Sequence, residues 1–200
     1  MMFKLGLTGS IGMGKSATAD LFWQHGCAVW DADAAVHRLY EPGGRAVAPI
    51  GAEFPGAVED GAVSRARLRE IIAEDPGALS RIEKIVHPLL ACDRADFVAG
   101  SSADIVVFDI PLLFETGGDR EMDAVVCVDV AADEQRARVL ARGTMSEAQF
   151  EAIKAKQMPN QDKCARSDYI VETDTPDHAA QQVRAIVEDI RNNLRKASDA

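Results

Sequence analysis

Gly9-Ser10-Ile11-Gly12-Met13-Gly14-Lys15-Ser16 satisfies G-x-x-x-x-G-K-[ST] at every fixed position. Phe3 to Leu7, mostly apolar, predicts a short buried strand before it. Ser16 to His25 carries apolar residues at Ala19, Leu21, Phe22 and Trp23 and predicts a helix after it. Strand, glycine loop and helix is the order that phosphate binding requires. Glycines let backbone N–H groups converge on phosphate oxygens, and the helix N-terminus adds a partial positive charge. Lys15 can then reach β- and γ-phosphates, and the Ser16 hydroxyl can ligate Mg²⁺. A glycine turn matching by chance would have to reproduce the whole motif between a strand and a helix. The loop specifies a phosphate site and leaves open what happens to the phosphate.

The rest of the composition bounds the answer. Two hundred residues suffice for one α/β domain with insertions and a full core. The formal net charge is −10, which offers no basic patch, so no nucleic-acid partner is expected. A local basic pocket for a phosphorylated ligand is compatible with that balance. Cys27, Cys92, Cys127 and Cys164 form no C-x-x-C pair and read as reduced thiols of a cytosolic protein, not a disulfide frame or a zinc site. No N-terminal stretch reads as a signal peptide, and no apolar run is long enough to span a membrane. A cytoplasmic location with no membrane partner is the expectation.

Beyond the first helix, Gly26 breaks the pattern, and Cys27 to Trp30 predicts a second strand running into Asp31-Ala32-Asp33. Residues two apart on a strand share a face. If that strand is parallel to the first, it opens at the sheet edge where ligands bind in open α/β sheets, and both carboxylates lie beside the phosphates. A plainer and compatible reading makes Asp33 the N-cap of a helix over Ala34 to Tyr40. Glu41 to Gly61 is dense in glycine and proline and reads as loop around one short helix near Arg45 to Phe54. Ser64 is the expected cap of a helix over Arg65 to Glu74. Asp75-Pro76 is expected to open a further helix that His87-Pro88 interrupts, with another from Leu89 to about Ala99. Arg65, Arg67 and Arg69 fit a solvated face, and His87 a capping or core histidine.

Ile105 to Asp109 is an apolar, β-branched run ending in an acid: a buried parallel strand with a Walker-B-like aspartate. Ala124 to Asp129 predicts the next strand, with Cys127 buried and inert. Asp133 to Gly143 predicts a helix bearing Arg136, Arg138 and Arg142, and Thr144 or Ser146 can cap a second through about Gln157, which Pro159 ends. The pair reads as a lid or as an ordinary hairpin whose arginines face water. Tyr169 to Val171 is a last strand, and Pro176 to Lys196 an amphipathic helix, with fraying expected over the last few residues.

Taken together, these segments resemble the dephospho-CoA kinase family, within the P-loop nucleoside-monophosphate-kinase-like group. The resemblance covers nearly the whole chain. It rests on Leu7-Thr8-Gly9 with the glycine loop, Asp31-Ala32-Asp33, Asp60-Gly61 with Ser64-Arg65 and Leu68-Arg69, and His87-Pro88. It continues through Asp109-Ile110-Pro111-Leu112-Leu113-Phe114-Glu115, then Gln135, Arg138, Arg142, Gln157 and Asp168-Tyr169-Ile170. It departs at Ala17, where threonine is usual, at Glu172-Thr173, where the family commonly has Asp-Asn near the adenine, and at the lid turn Gly143 to Ser146.

The resemblance implies a three-layer P-loop kinase fold: a five-stranded parallel sheet, a helical CoA-binding insertion and a helical lid. Residues 1–33, 100–132 and 165–200 would form the nucleotide-binding core, 34–99 the insertion and 133–164 the lid. The reaction implied is transfer of the ATP γ-phosphate to the 3′-hydroxyl of the ribose of dephospho-CoA, the last step of coenzyme A synthesis. ATP contacts are implied at Gly9, Ile11, Gly12, Met13, Gly14, Lys15, Ser16, Ala17, Arg138 and Arg142. Dephospho-CoA contacts are implied at Asp31, Asp33, Arg65, His87, Leu112, Leu113 and Glu115. Ser16 and Asp109 would serve Mg²⁺. Lys15 and Arg142 would stabilise charge, and Asp33 would be the general base. A monomer with ATP and dephospho-CoA as its only partners is expected. Two rivals share the loop: another small-molecule kinase, and a switch-type nucleotide binder. Asp31-Ala32-Asp33 at the second strand and the long insertion argue against the first, and the missing N-K-x-D motif, Asp33 and the arginine-bearing lid argue against the second.

Overall fold

The structure, a computed structural model, describes residues 2–198. Its chain divides into two compact units, residues 1–30 with 102–200, and residues 31–101.

The first unit is built on a parallel sheet. Its strands are β1 (Phe3–Thr8), β2 (Ala28–Asp31), β5 (Ile105–Asp109), β6 (Ala124–Asp129) and β7 (Tyr169–Glu172), in the order β2-β5-β1-β6-β7. The numbers β3 and β4 belong to the second unit. β1 is central, with Leu5 paired to Val107 on one side and to Ala124 on the other. A central parallel strand is covered on both faces, which is why β5 is apolar at four successive positions and wholly buried. On one face Leu5, Leu7, Val107 and Val126 meet α1 (Lys15–Gln24) and α9 (Pro176–Ser198). The stripe Ala179, Val183, Ile186, Val187 and Ile190 of α9 is buried at helical spacing. Each fully buried Val or Ile stabilises by about 1.5–3 kcal/mol. On the other face Gly6 leaves room for Leu113: a Cβ at position 6 would lie 2.7 Å from the Leu113 side chain. The expected fraying of the last residues falls beyond 198, outside the described residues.

Between β6 and β7 run α6 (Ala132–Ala141), α7 (Glu147–Lys154) and α8 (Asn160–Arg166). Ser146 caps α7, and its box is completed by Gln149. The second helix, expected to run to about Gln157 and end at Pro159, stops at Lys154, and Pro159 is the N-cap of a further helix, α8, that packs on β6. One side chain fastens it. Lys163 is fully buried, and its Nζ donates to Pro111 O at 2.8 Å and lies 2.9 Å from Glu115 Oε1. The same carboxylate accepts from Met158 N–H at 2.9 Å. Burial pushes the Glu115 carboxyl up, but the hydrogen bonds from Lys163 and Met158 outweigh it and hold it below its usual range.

The second unit comprises α2 (Ala32–Tyr40), α3 (Val47–Glu53), the hairpin β3 (Val58–Glu59) and β4 (Ala62–Val63), α4 (Arg65–Glu74) and α5 (Ala78–Gly100). Its own core includes Leu39, Ile50, Phe54, Leu68, Ile82 and Val86. The hairpin lies at the end of the stretch whose glycine and proline content predicts only loop. Asp60 and Gly61 both have positive φ, 49° and 78°, as a two-residue Asp-Gly hairpin demands.

Two further expectations are corrected. Helix α2 starts at Ala32, and its cap is Asp31, whose Oδ1 accepts from Ala34 N–H at 2.8 Å. Asp33 lies exposed in the first turn. Second, α5 begins at Ala78 and runs unbroken through His87 and Pro88. Ala78, Ile82 and Val86 are buried, and Leu89 and Leu90 join the same core, so the apolar stripe crosses the proline in register. Pro88 removes one backbone bond, to the carbonyl of Lys84, and both residues face water. His87 is exposed in mid-helix, neither cap nor core.

Pro88→Ala should therefore stabilise the fold by about 1–2 kcal/mol, the regained helix bond exceeding the looser unfolded chain. A lower melting temperature would show that the helix needs its proline. The Glu115 carboxylate, with its folded pKa depressed, stabilises above its unfolded pKa, and this is lost as pH falls through the folded value. Glu115→Gln should lower the melting temperature at pH 7, and the gap to wild type should begin to narrow near the unfolded carboxyl value of about 4.3 and close only below the depressed folded value. A gap constant across pH would refute the assignment.

Candidate active site

The phosphate loop spans Gly9 to Ser16 between β1 and α1, as the motif predicts. Gly14 is the N-cap of α1 with φ 93°, so Lys15 and Ser16 open the helix with free backbone N–H groups. Gly12 has φ 80°, and a Cβ there would lie 2.4 Å from Val139 Cγ2 on α6. Only glycine fits both the backbone and the space. Lys15 makes an ion pair with Asp109, which is 2% exposed at the end of β5. The predicted cation and acid of the site thus meet directly.

Around this core, side chains from distant segments engage four backbone groups of the loop. Ser10 N–H donates to Asn160 Oδ1 at 2.9 Å. Ile11 N–H donates to Gln157 Oε1 at 3.0 Å, and Ile11 O accepts from Gln135 Nε2 at 2.7 Å. Met13 O accepts from Thr173 Oγ1 at 2.8 Å. Asn160 is held in turn, its Nδ2 donating to Val128 O at 3.1 Å and Asp129 Oδ1 at 2.7 Å. In the sequence Gln135 and Gln157 stand out only through the family resemblance and Asn160 not at all, because a polar amide carries no periodicity.

A cavity of about 380 Å³ adjoins the loop, lined by Gly14, Ala17, Thr18, Arg138, Thr173 and Pro176 among others. Arg138 is fixed there: its guanidinium donates to Thr173 O at 2.6 Å and to Thr173 Oγ1 at 3.1 Å, and pairs with Glu134. Arg142 is the exposed C-cap of α6, and Arg136 ties α6 to Glu147 of α7 at 2.5 Å. Ser16 and Ala17 are exposed, Met13 is buried, and Gly9 closes β1 against Val128.

Of the residues assigned to the second substrate, Leu112 is exposed and Leu113 fully buried under β1. Glu115 is engaged by Lys163 and Met158, as described above. Asp31, Asp33, Arg65 and His87 belong to the second unit. There the Arg65 guanidinium lies 5.9 Å from the Tyr40 ring centroid. Cys127 is buried and its thiol pushed up, first by desolvation, so it is inert as expected, although its sulfur lies 3.4 Å from that of Cys164. Among the described residues no group of three or more His, Cys, Asp or Glu side chains could hold a metal, and no helix is long and apolar enough to cross a membrane.

Known proteins resemble this chain in sequence and fold. A family model described as dephospho-CoA kinase (CoaE) matches residues 3–178. A dephospho-CoA kinase of Ruegeria pomeroyi is 68% identical over 191 residues, covering 96% of this chain and 97% of its own. One from Cereibacter sphaeroides is 58% identical, covering 94% and 96%. The crystal structure of TT1252 from Thermus thermophilus superposes with a TM-score of 0.84 at 29% identity, covering 94% and 97%. With its phosphate loop, its parallel sheet and matches along nearly its whole length, the chain belongs to the dephospho-CoA kinase family.

Proposed function

We propose that the chain transfers the γ-phosphate of ATP to the ribose 3′-hydroxyl of dephospho-CoA, completing coenzyme A. The observation that carries this is Lys15 at the mouth of a fixed phosphate loop, paired with Asp109, in a chain of this family. In the reaction the 3′-oxygen forms a bond to the γ-phosphorus, the bond to the β–γ bridging oxygen breaks, and ADP leaves. The transition state is loose, so catalysis is mainly positioning and charge stabilisation. Lys15 exchanges Asp109 for phosphate oxygens, and Gly12 to Ser16 present backbone N–H groups. Arg142, at the exposed C-terminal end of α6, supplies a further positive charge when the turn from α6 into α7 closes as a lid, while Gln135 and Asn160 stay fixed to the loop. Asp33 takes the hydroxyl proton, while Asp31 keeps the helix capped.

The Ser16 hydroxyl and the Asp109 carboxylate are oxygen donors of the kind Mg²⁺ accepts, completed by the nucleotide's own phosphates. When bound, Mg²⁺ would draw charge from the β- and γ-phosphates. The cavity beside Gly14, Ala17 and Arg138 is proposed for the adenine, and the helical segment 34–99, with Arg65 and His87, for the CoA moiety. Leu112 and Leu113 belong to the acceptor side, and Glu115 supports it through Lys163. The enzyme acts as a cytoplasmic monomer, without nucleic acid.

Coupled ADP release tests the reading directly. ADP should appear with dephospho-CoA and not with adenosine or nucleoside monophosphates, and equal release with all of these acceptors would overturn it. Asp33→Asn tests the base. The cap bond belongs to Asp31, so this variant should keep its melting temperature and ATP binding while kcat falls roughly 10²–10⁴-fold. Wild-type kcat in the folded variant would move the role of base elsewhere.

A further inference from the structure

We infer that Thr173 is a positioning residue for ATP, its hydroxyl aligning the phosphate loop and Arg138 together; this rests on the reading of the loop as the ATP site. Thr173 follows β7, and its N–H donates to Asp129 O at 2.8 Å, extending the sheet by one rung. The side chain is thereby held at the end of the sheet beneath the loop. A hydroxyl has one proton to give. Met13 O lies 2.8 Å away and Asp129 O 3.3 Å away, so the proton goes to Met13. The hydroxyl oxygen in turn accepts from Arg138 Nη1 at 3.1 Å, and the Thr173 carbonyl accepts from Nη2 at 2.6 Å. One 8%-exposed residue thus joins a loop carbonyl to a guanidinium.

The consequence follows from peptide geometry. The peptide between Met13 and Gly14 is planar and trans, so its C=O and N–H point in opposite directions. Fixing the Met13 carbonyl toward Thr173 turns the Gly14 N–H away, toward the phosphate side of the loop. Gly14 also rests against the same side chain: a Cβ there would lie 2.9 Å from Thr173 Oγ1. Arg138 and Thr173 both line the 380 Å³ cavity next to Gly14, so the hydroxyl sets one wall of that cavity and the adjoining loop amide at once. Burial leaves little room for water to replace it.

Thr173→Val keeps the shape and deletes the hydroxyl, and Thr173→Ser keeps the hydroxyl and deletes the methyl. In steady-state assays Thr173→Val should raise the KM for ATP about 10-fold, the worth of one buried hydrogen bond. The KM for dephospho-CoA should stay within about twofold, since the bond is on the ATP side. Thr173→Ser should return the KM for ATP close to wild type. Calorimetric titration with ADP should show the same ranking without turnover. An unchanged KM in Thr173→Val, an equal loss in Thr173→Ser, or a parallel rise for both substrates would overturn the inference. If Thr173→Val does not fold, the contrast between Thr173→Ser and Thr173→Ala carries the same decision. Lys15→Ala separates this from the underlying reading. If it remains fully active, the phosphate site itself falls and the inference with it. If it is inactive while Thr173→Val binds ATP normally, only the inference falls.

Discussion

A loop that binds phosphate through its backbone must have every other backbone group satisfied elsewhere. N–H groups aimed at a ligand cannot also stabilise the empty loop, and a buried group left without a partner costs about 1–3 kcal/mol. This chain meets the constraint with side chains drawn from separate segments. The Ile11 peptide is gripped at both ends, its N–H by Gln157 and its carbonyl by Gln135. Asn160 holds Ser10 before it and Thr173 holds Met13 two residues after it. The packing of α6 and α8 and the exit from β7 are all fixed by their approach to one octapeptide. Gly12 and Gly14 permit that approach, since a side chain at either would collide with Val139 or Thr173.

The features legible in the sequence were those written as local, periodic or spaced patterns. The glycine loop, the apolar strand ending at Asp109 and the α9 stripe each announce themselves within a few residues. Pro88 misled because proline is a local signal, whereas α5 is held by an apolar stripe that continues past it from Val86 to Leu89 and Leu90. The capping alternative for Asp33 fails because the helix starts two residues earlier than its pattern suggests, and a cap is defined only by which N–H its carboxylate meets. The α8 helix and its buried Lys163 could not be read at all. A lysine becomes a core residue only when Glu115 and the Pro111 carbonyl, some fifty residues earlier, are brought to it. The same applies to Gln135, which is 1% exposed although its residue type suggests surface.

Charge plays a smaller part than its abundance suggests. The net charge is −10, yet many arginines are neutralised at close range, Arg38 by Asp93, Arg81 by Glu53 and Asp75, and Arg191 by Asp104. Exposed pairs of this kind each contribute about 0–1 kcal/mol and are screened by salt. Stability rests mainly on the two apolar cores and on polar groups that are both buried and paired, such as Lys163.

The central position of β1 also bears on how the protein is made. The strand is synthesised before either of its partners, residues 105–109 and 124–129. Until those are synthesised, β1 has no neighbour to pair with. Residues 31–101 by contrast are contiguous and carry their own core, so they have what they need to condense while the nascent chain is still growing. The phosphate loop is therefore complete only after residues 105–109 and 124–129 have paired with β1 and Thr173 has reached the Met13 carbonyl.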